Sequence, residues 1–149
     1  MPQSPLYDRD FYAWANEQAA LLREGKLSQA DIEHIAQEIE SMGRTEKREL
    51  ISRLTVLLLH LLKWRYQPQK RTKSWESSIK VQRGLLADHL DDNPSLRPLA
   101  PIAVARAYQL AVLEAVGETN LIEATFPPEC PWAFDQLMNA DFWPDEQNH

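Results

Sequence analysis

What the sequence has little of excludes several classes of protein. Four glycines in 149 residues are too few for a β-sandwich or barrel with many tight turns, and no glycine-rich phosphate loop occurs. The single cysteine, Cys130, has no partner for a disulfide within the chain, which is typical of a reducing cytoplasm. The longest apolar run contains His60 and is interrupted by Lys63, so it is shorter than the about 20 residues that span a membrane. Because the first residues also lack a signal-peptide pattern, we expect a cytoplasmic protein with no membrane partner.

What is present predicts helices. The chain is 44% hydrophobic and 26% charged, close to an average globular protein, and its apolar residues recur at helical spacing without any alternating strand pattern. Residues 54–62 are apolar nearly all round, which predicts a helix surrounded by others. We expect one all-α domain over residues 1–149: a bundle of about five main helices, with Gly43 ending the second of them. An irregular tail should dock its large rings on this bundle, namely Phe126, Trp132, Phe134, Phe142 and Trp143.

Charge is strongly segregated along the chain. Residues 44–83 carry eleven basic and three acidic side chains, whereas residues 107–149 carry eight acidic and no basic ones. Such asymmetry indicates either a polyanionic partner or pairing within the molecule. We expect the acids of the C-terminal third to screen the basic residues, with the tail contributing Glu129, Asp135, Asp141, Asp145 and Glu146.

Basic and aromatic residues are interleaved in one stretch, residues 63–83, called the basic segment below. Cations bind phosphates and aromatic faces stack on unpaired bases, so the pattern is compatible with nucleic acid. It is also compatible with a protein-partner site, or with a face that is solvated or paired within the chain. The candidate binding residues in and beside this segment are His60, Lys63, Trp64, Arg65, Lys70, Arg71, Lys73, Trp75 and Arg83.

Two further patterns lie on the predicted helices. Six residues of the central helix follow spacings of three and four and form one stripe, which must face solvent, a groove or a polar network; this polar stripe consists of Glu46, Glu49, Arg53, Val56, His60 and Lys63. Separately, His34, His60 and His89 fall on three successive helices, where they would converge on one metal ion in a metal-dependent enzyme. Since the Glu-x-x-His pairs of di-iron bundles are absent, we expect no tightly bound metal and no cofactor.

Several segments carry a family resemblance. They are YDRDFYAW near the start, IAQEIESMG from Ile35, LLLHLLKWRYQP from Leu57, SWESSI from Ser74, NPSL from Asn93 and FPPECPW from Phe126. With these segments in this order, the chain resembles domain-of-unknown-function family twenty-nine, which consists of small bacterial proteins. The resemblance implies an all-helical bacterial domain and supplies no activity, catalytic residue or ligand.

The function that we expect is therefore a non-enzymatic cytoplasmic interaction module. It would act through a protein partner, with self-association as one form of that interaction. The alternatives are association with nucleic acid through the basic segment, and a metal-dependent enzyme with the histidine site.

Overall fold

The structure, a computed structural model, describes residues 4–145. Six α-helices and several short 3₁₀ turns make up this part of the chain, and no β-strand occurs in it. The all-α fold class is thus confirmed. The helices are α1 (Leu6–Arg9), α2 (Phe11–Arg23), α3 (Ile32–Tyr66), α4 (Lys73–Asp92), α5 (Ala100–Glu118) and α6 (Phe134–Met138).

The longest helix, α3, continues through Gly43, so the predicted break at this residue is wrong. Glycine ends a helix chiefly by adopting a positive φ, and among the described residues only Gly25 does so, at 72°. There the backbone N–H of Lys26 donates to the carbonyl of Leu21 at 2.9 Å and closes α2. Gly43 keeps a helical conformation at a cost of about 1 kcal/mol relative to alanine. Four long helices therefore replace the five that we expected.

Two compact units divide the chain, and α3 contributes residues to both. The first unit reaches to Thr45, and the second begins at Glu46. In the first unit, Asp31 is buried just before α3, and its carboxylate accepts a hydrogen bond from the backbone N–H of His34. The second unit contains the rest of α3 together with α4, α5, α6 and the tail.

The core of the second unit is centred on the apolar stretch of α3. As predicted, residues 54–62 are buried on several sides: Leu54, Leu57, Leu58, Leu61 and Leu62 have no exposed surface, and neither has Leu50 one turn before them. Helix α4 adds Ile79, Leu86 and Leu90 to the same cluster. Helix α5 adds a row of small residues spaced four apart, whose size permits close approach of neighbouring helices: Ala103, Ala107, Ala111 and Ala115.

The C-terminal tail docks on this core as predicted. Phe126, Trp132 and Phe142 are buried in the core cluster, and Phe134 and Trp143 pack against it half-buried. The tail ring of Trp143 lies 4.7 Å from that of Trp64, centroid to centroid. Glu146, one of the acids expected to screen the basic segment, lies outside the described residues.

One helical stretch passes a simple test for a membrane span. Pro94–Glu118 is long and apolar enough to cross a membrane, by length and composition only. Of its most apolar window, 44% is buried inside the structure. The core helix of a soluble protein passes the same test, so this finding is weak support for a membrane role.

Candidate functional site

The aromatic residues of the basic segment are engaged by the chain itself. Trp64 packs on Trp143, and the guanidinium of Arg71 lies 4.7 Å above its ring. The ammonium of Lys63 lies 5.4 Å from the centre of the Trp75 ring. The same ammonium pairs with Glu118 of α5 at 2.6 Å, which is one contact of the kind expected between the basic segment and the acidic C-terminal third.

Arg83 fastens the tail and is buried. Its Nε donates to the carbonyl of Leu137 at 2.7 Å, and a terminal nitrogen donates to the carbonyl of Phe142 at 2.6 Å. Burial lowers the pKa of this guanidinium from its ordinary value. Because two tail carbonyls accept its hydrogen bonds, Arg83 fastens the tail to α4.

The remaining candidate residues of this region divide in two. Arg65 is half-buried and lies 4.7 Å over the ring of Tyr66, while His60 donates through Nδ1 to the carbonyl of Val56 at 2.8 Å. The exposed cations among these candidates are Lys70, Arg71 and Lys73; Lys80 of the same segment is also exposed, but it pairs with Glu76. Without a free pair of tryptophans beside them, these three give a smaller nucleic-acid surface than the sequence indicated.

The three histidines have separate partners. Nδ1 of His34 bonds the carboxylate of Asp31 at 2.7 Å, and Nε2 of His89 donates to the carbonyl of Glu46 at 2.9 Å. Within residues 4–145, the one group of three ligand-type side chains with ligand atoms within 4.8 Å of one another is Glu46, Glu49 and His89. It contains a single histidine of the predicted trio, so that trio does not form the common site that we considered.

This group, the His89 cluster, joins α4 to the N-terminal end of the polar stripe. All six stripe residues are half-buried, as their spacing predicted. His89 is only 8% exposed, and its Nδ1 lies 3.7 Å from a carboxylate oxygen of each glutamate. Arg53 donates through Nε and a terminal nitrogen to the other oxygen of Glu49, at 3.1 and 2.7 Å. The sequence did not reveal this cluster, because the pairing of α4 with α3 depends on their tertiary register.

A second histidine–carboxylate arrangement, the Asp31 cluster, lies in the first unit. The Asp31 carboxylate accepts from the indole of Trp14 and the backbone of Ser4 at 3.0 Å, besides His34. Burial raises the pKa of this carboxyl, but these hydrogen bonds outweigh it, and the net shift is downward. The Tyr7 ring stacks on His34 with 3.8 Å between the ring centroids. With its acceptor sites filled, Asp31 caps α3 and holds the unit together.

A groove runs between α5 and residues 123–134, and we call it the α5 groove. Two adjoining cavities of about 690 and 590 Å³ share Tyr108, Gln109 and Pro128. Helix α5 lines them with one face, at spacings of one to four residues: Pro101, Val104, Ala105, Tyr108, Gln109, Val112 and Leu113. The Tyr108 hydroxyl donates to the carbonyl of Pro127 at 2.7 Å and ties the far wall to the helix. Burial raises the pKa of Tyr108.

Cys130 lines the same groove and is the chain's only thiol. It is half-buried and contacts the carbonyl of Trp132 through Sγ at 3.3 Å. Burial raises the pKa of the thiol, which opposes formation of the thiolate that a nucleophile needs. The groove thus contains a thiol that its surroundings do not activate.

Comparison with known protein families finds a match. A sequence profile described as domain of unknown function DUF29 matches residues 6–143. The chain belongs to the DUF29 family. The resemblance drawn from the sequence segments is therefore confirmed. Comparison with curated proteins and with solved structures finds no match.

Since the DUF29 match brings no activity with it, the function of this DUF29 chain has to be argued from its surfaces. The Asp31 cluster is saturated by internal hydrogen bonds, and the basic segment is largely paired. The α5 groove and the His89 cluster remain, and both present groups that the chain itself leaves available.

Proposed function

We propose that this chain is a non-enzymatic interaction module of the cytoplasm. Its α5 groove would bind an apolar, positively charged helical segment of a partner protein. The observation that carries the proposal is an apolar concave surface whose lining includes two glutamates, Glu123 and Glu129, and no lysine or arginine. Both features belong to the second unit of the chain.

The apolar character of the groove comes from α5 and the proline-rich wall. The lining positions from Pro101 to Leu113 extend over about 18 Å, because a helix rises about 1.5 Å per residue. Leu113 remains 59% exposed. An amphipathic helix of three or four turns has this length, and its apolar face is the usual occupant of such grooves.

The charge near the α5 groove favours some binding partners over others. Arg106 is the only basic residue among residues 100–145, where seven acidic residues occur. Glu123 and Glu129 line the groove itself. Complementary charge speeds encounter and disfavours acidic partners or anionic lipids. We take a different protein as the occupant. A second copy of this chain, whose α3 exposes Arg44, Lys47 and Arg48 near the exposed Ile39 and Met42, is an outcome that the test distinguishes.

The test uses a synthetic 18-residue helical peptide with leucines on one face and lysines on the others. Its fluorescence anisotropy is followed during titration with the full chain at two salt concentrations. We expect Leu113→Lys to weaken binding at least tenfold. Val81→Lys is the matched control, because Val81 on α4 is 54% exposed and lies outside the groove.

Three results would contradict the proposal. The first is equal affinity of the two lysine variants for the peptide, and the second is equal binding of a scrambled peptide with the same composition. The third is evidence for a different occupant, either a concentration-dependent dimer mass in light scattering or cosedimentation with phosphatidylcholine vesicles. In either assay, the signal would be lost in Leu113→Lys and kept in Val81→Lys. It would assign the groove to a second copy or to a membrane.

A further inference from the structure

Among residues 4–145, the His89 side chain, which is 8% exposed, has one ring nitrogen without a hydrogen-bond partner. Nε2 of His89 faces the carbonyl of Glu46 at 2.9 Å, and since a carbonyl only accepts, Nε2 carries the proton of this bond. In the neutral ring, Nδ1 then carries a lone pair and no proton. The nearest groups to it are two carboxylate oxygens at 3.7 Å, beyond hydrogen-bond distance.

A lone pair directed at two carboxylates is unfavourable unless a positive charge lies between them, supplied by a proton on Nδ1 or by a bound cation. A histidine whose other nitrogen donates to a backbone carbonyl is the usual state of a metal ligand, because that bond fixes the tautomer and the ring orientation. The Glu46 carbonyl provides this bond. The same helical turns of α3 thus supply both the orienting acceptor and two negatively charged ligands.

The distances suit one ion. Zinc–nitrogen and zinc–oxygen bonds are about 2.0–2.2 Å long, so two ligand atoms on one ion lie at most about 4.4 Å apart. The separations of 3.7 Å from Nδ1 satisfy this limit directly. All three ligand atoms lie within 4.8 Å of one another, and the half-exposed glutamates have freedom to close the remainder.

The surroundings complete the pattern. Arg53 holds one oxygen of Glu49 and leaves the other for the site, in the way that outer partners orient metal ligands. The cluster opens into a shallow cavity of about 420 Å³. Its rim includes Asp88 and Asp92, which increase the negative potential there.

We propose that Glu46, Glu49 and Nδ1 of His89 bind a divalent first-row transition-metal ion, with zinc as the probe. One imidazole and two carboxylates are a ligand set that such ions accept, and three protein ligands leave positions for water. This site is separate from the α5 groove. It also differs from the histidine trio considered from the sequence and departs from the expectation that no metal is bound tightly.

The test is isothermal titration calorimetry of the tag-free full chain, stripped with chelator and titrated with zinc chloride. We expect one zinc ion per chain, and at least a tenfold loss of affinity in both Glu46→Gln and Glu49→Gln. Glu76→Gln is the matched control: Glu76 is 41% exposed and pairs with Lys80, as Glu49 is 40% exposed and pairs with Arg53. Its zinc affinity should stay within twofold of the parent.

Two results would overturn the proposal. One is the absence of zinc binding with a dissociation constant below about 100 µM, which is about the affinity that scattered surface ligands reach. The other is zinc binding that survives both glutamine substitutions at parental strength. Circular dichroism of each variant checks that it is folded, and because both glutamates are half-exposed, we expect their substitution to leave the fold intact.

Discussion

The two histidine–carboxylate clusters use the same functional groups in opposite ways. In the Asp31 cluster, His34 touches its carboxylate at 2.7 Å, and indole and backbone donors also reach that carboxylate. In the His89 cluster, the ring nitrogen stays 3.7 Å from both carboxylates. Asp31 is buried, whereas Glu46 and Glu49 are half-exposed. The first cluster has its acceptors filled by the chain, and the second presents them to a ligand.

The difference teaches that the number of donors reaching a carboxylate matters more than its proximity to histidine. A buried carboxylate with several donors stabilises a fold, and removing its charge leaves those donors unpaired. An exposed carboxylate contributes little to folding and is available for binding. The two clusters should therefore respond differently to substitution, and four predictions test this contrast.

The largest effect concerns the helix on which the His89 cluster is built. Leu58→Ala should lower the free energy of unfolding by about 2–5 kcal/mol, because it opens a cavity at a side chain without exposed surface. Urea denaturation followed by circular dichroism measures this. A loss below about 1 kcal/mol would show that α3 is not central to the second unit, and the cluster would then lack a rigid support.

The next effect contrasts the clusters directly. Asp31→Asn should cost about 2–3 kcal/mol, because the amide group places a donor opposite donors in a buried site. Glu49→Gln should cost about 0–1 kcal/mol, since its ion pair with Arg53 is half-exposed. Hydrogen exchange of peptides from residues 4–45 would localise the first loss. Equal costs in the two variants would remove the distinction between a structural and a ligand-binding cluster.

The sequence predicted those features that depend on local spacing. Helical periodicity identified the buried stretch around Leu58 and the polar stripe, and the aromatic tail residues indicated their docking. The predicted helix end at Gly43 was wrong, because a glycine inside a helix and one beyond its end look alike until φ is known.

The sites were harder to predict because they depend on contacts between residues that are far apart in the sequence. His89 meets Glu46 across two helices whose register no local pattern encodes. Arg83 was a candidate binding residue in the sequence, and tail carbonyls more than fifty positions away accept its hydrogen bonds.

The third prediction uses pH. The pKa of Asp31 is lower in the folded chain than its ordinary value near 3.8, so its stabilising contribution is fully present above that value. This contribution is lost as the pH falls through the lower folded pKa. The free energies of unfolding of the parent and of Asp31→Asn should therefore differ most at pH 7 and converge below about pH 4. A constant difference from pH 7 to pH 3 would contradict this.

The smallest effect lies at the edge of the Asp31 cluster and leaves stability nearly unchanged. The Tyr7 hydroxyl donates to Glu38, and this hydrogen bond, with burial and nearby negative charge, raises the pKa of the phenol. Glu38→Gln removes the charge that favours the protonated phenol, so the pKa of Tyr7 should fall toward 10. NMR of tyrosine labelled at Cζ measures the titration, with Tyr12 as an internal reference in the same unit. Because Glu38 is not one of the proposed metal ligands, zinc affinity should remain parental in this variant. A weakened zinc affinity would mean that the carboxylate assignments of the two clusters are not independent, and the contrast between them would fail.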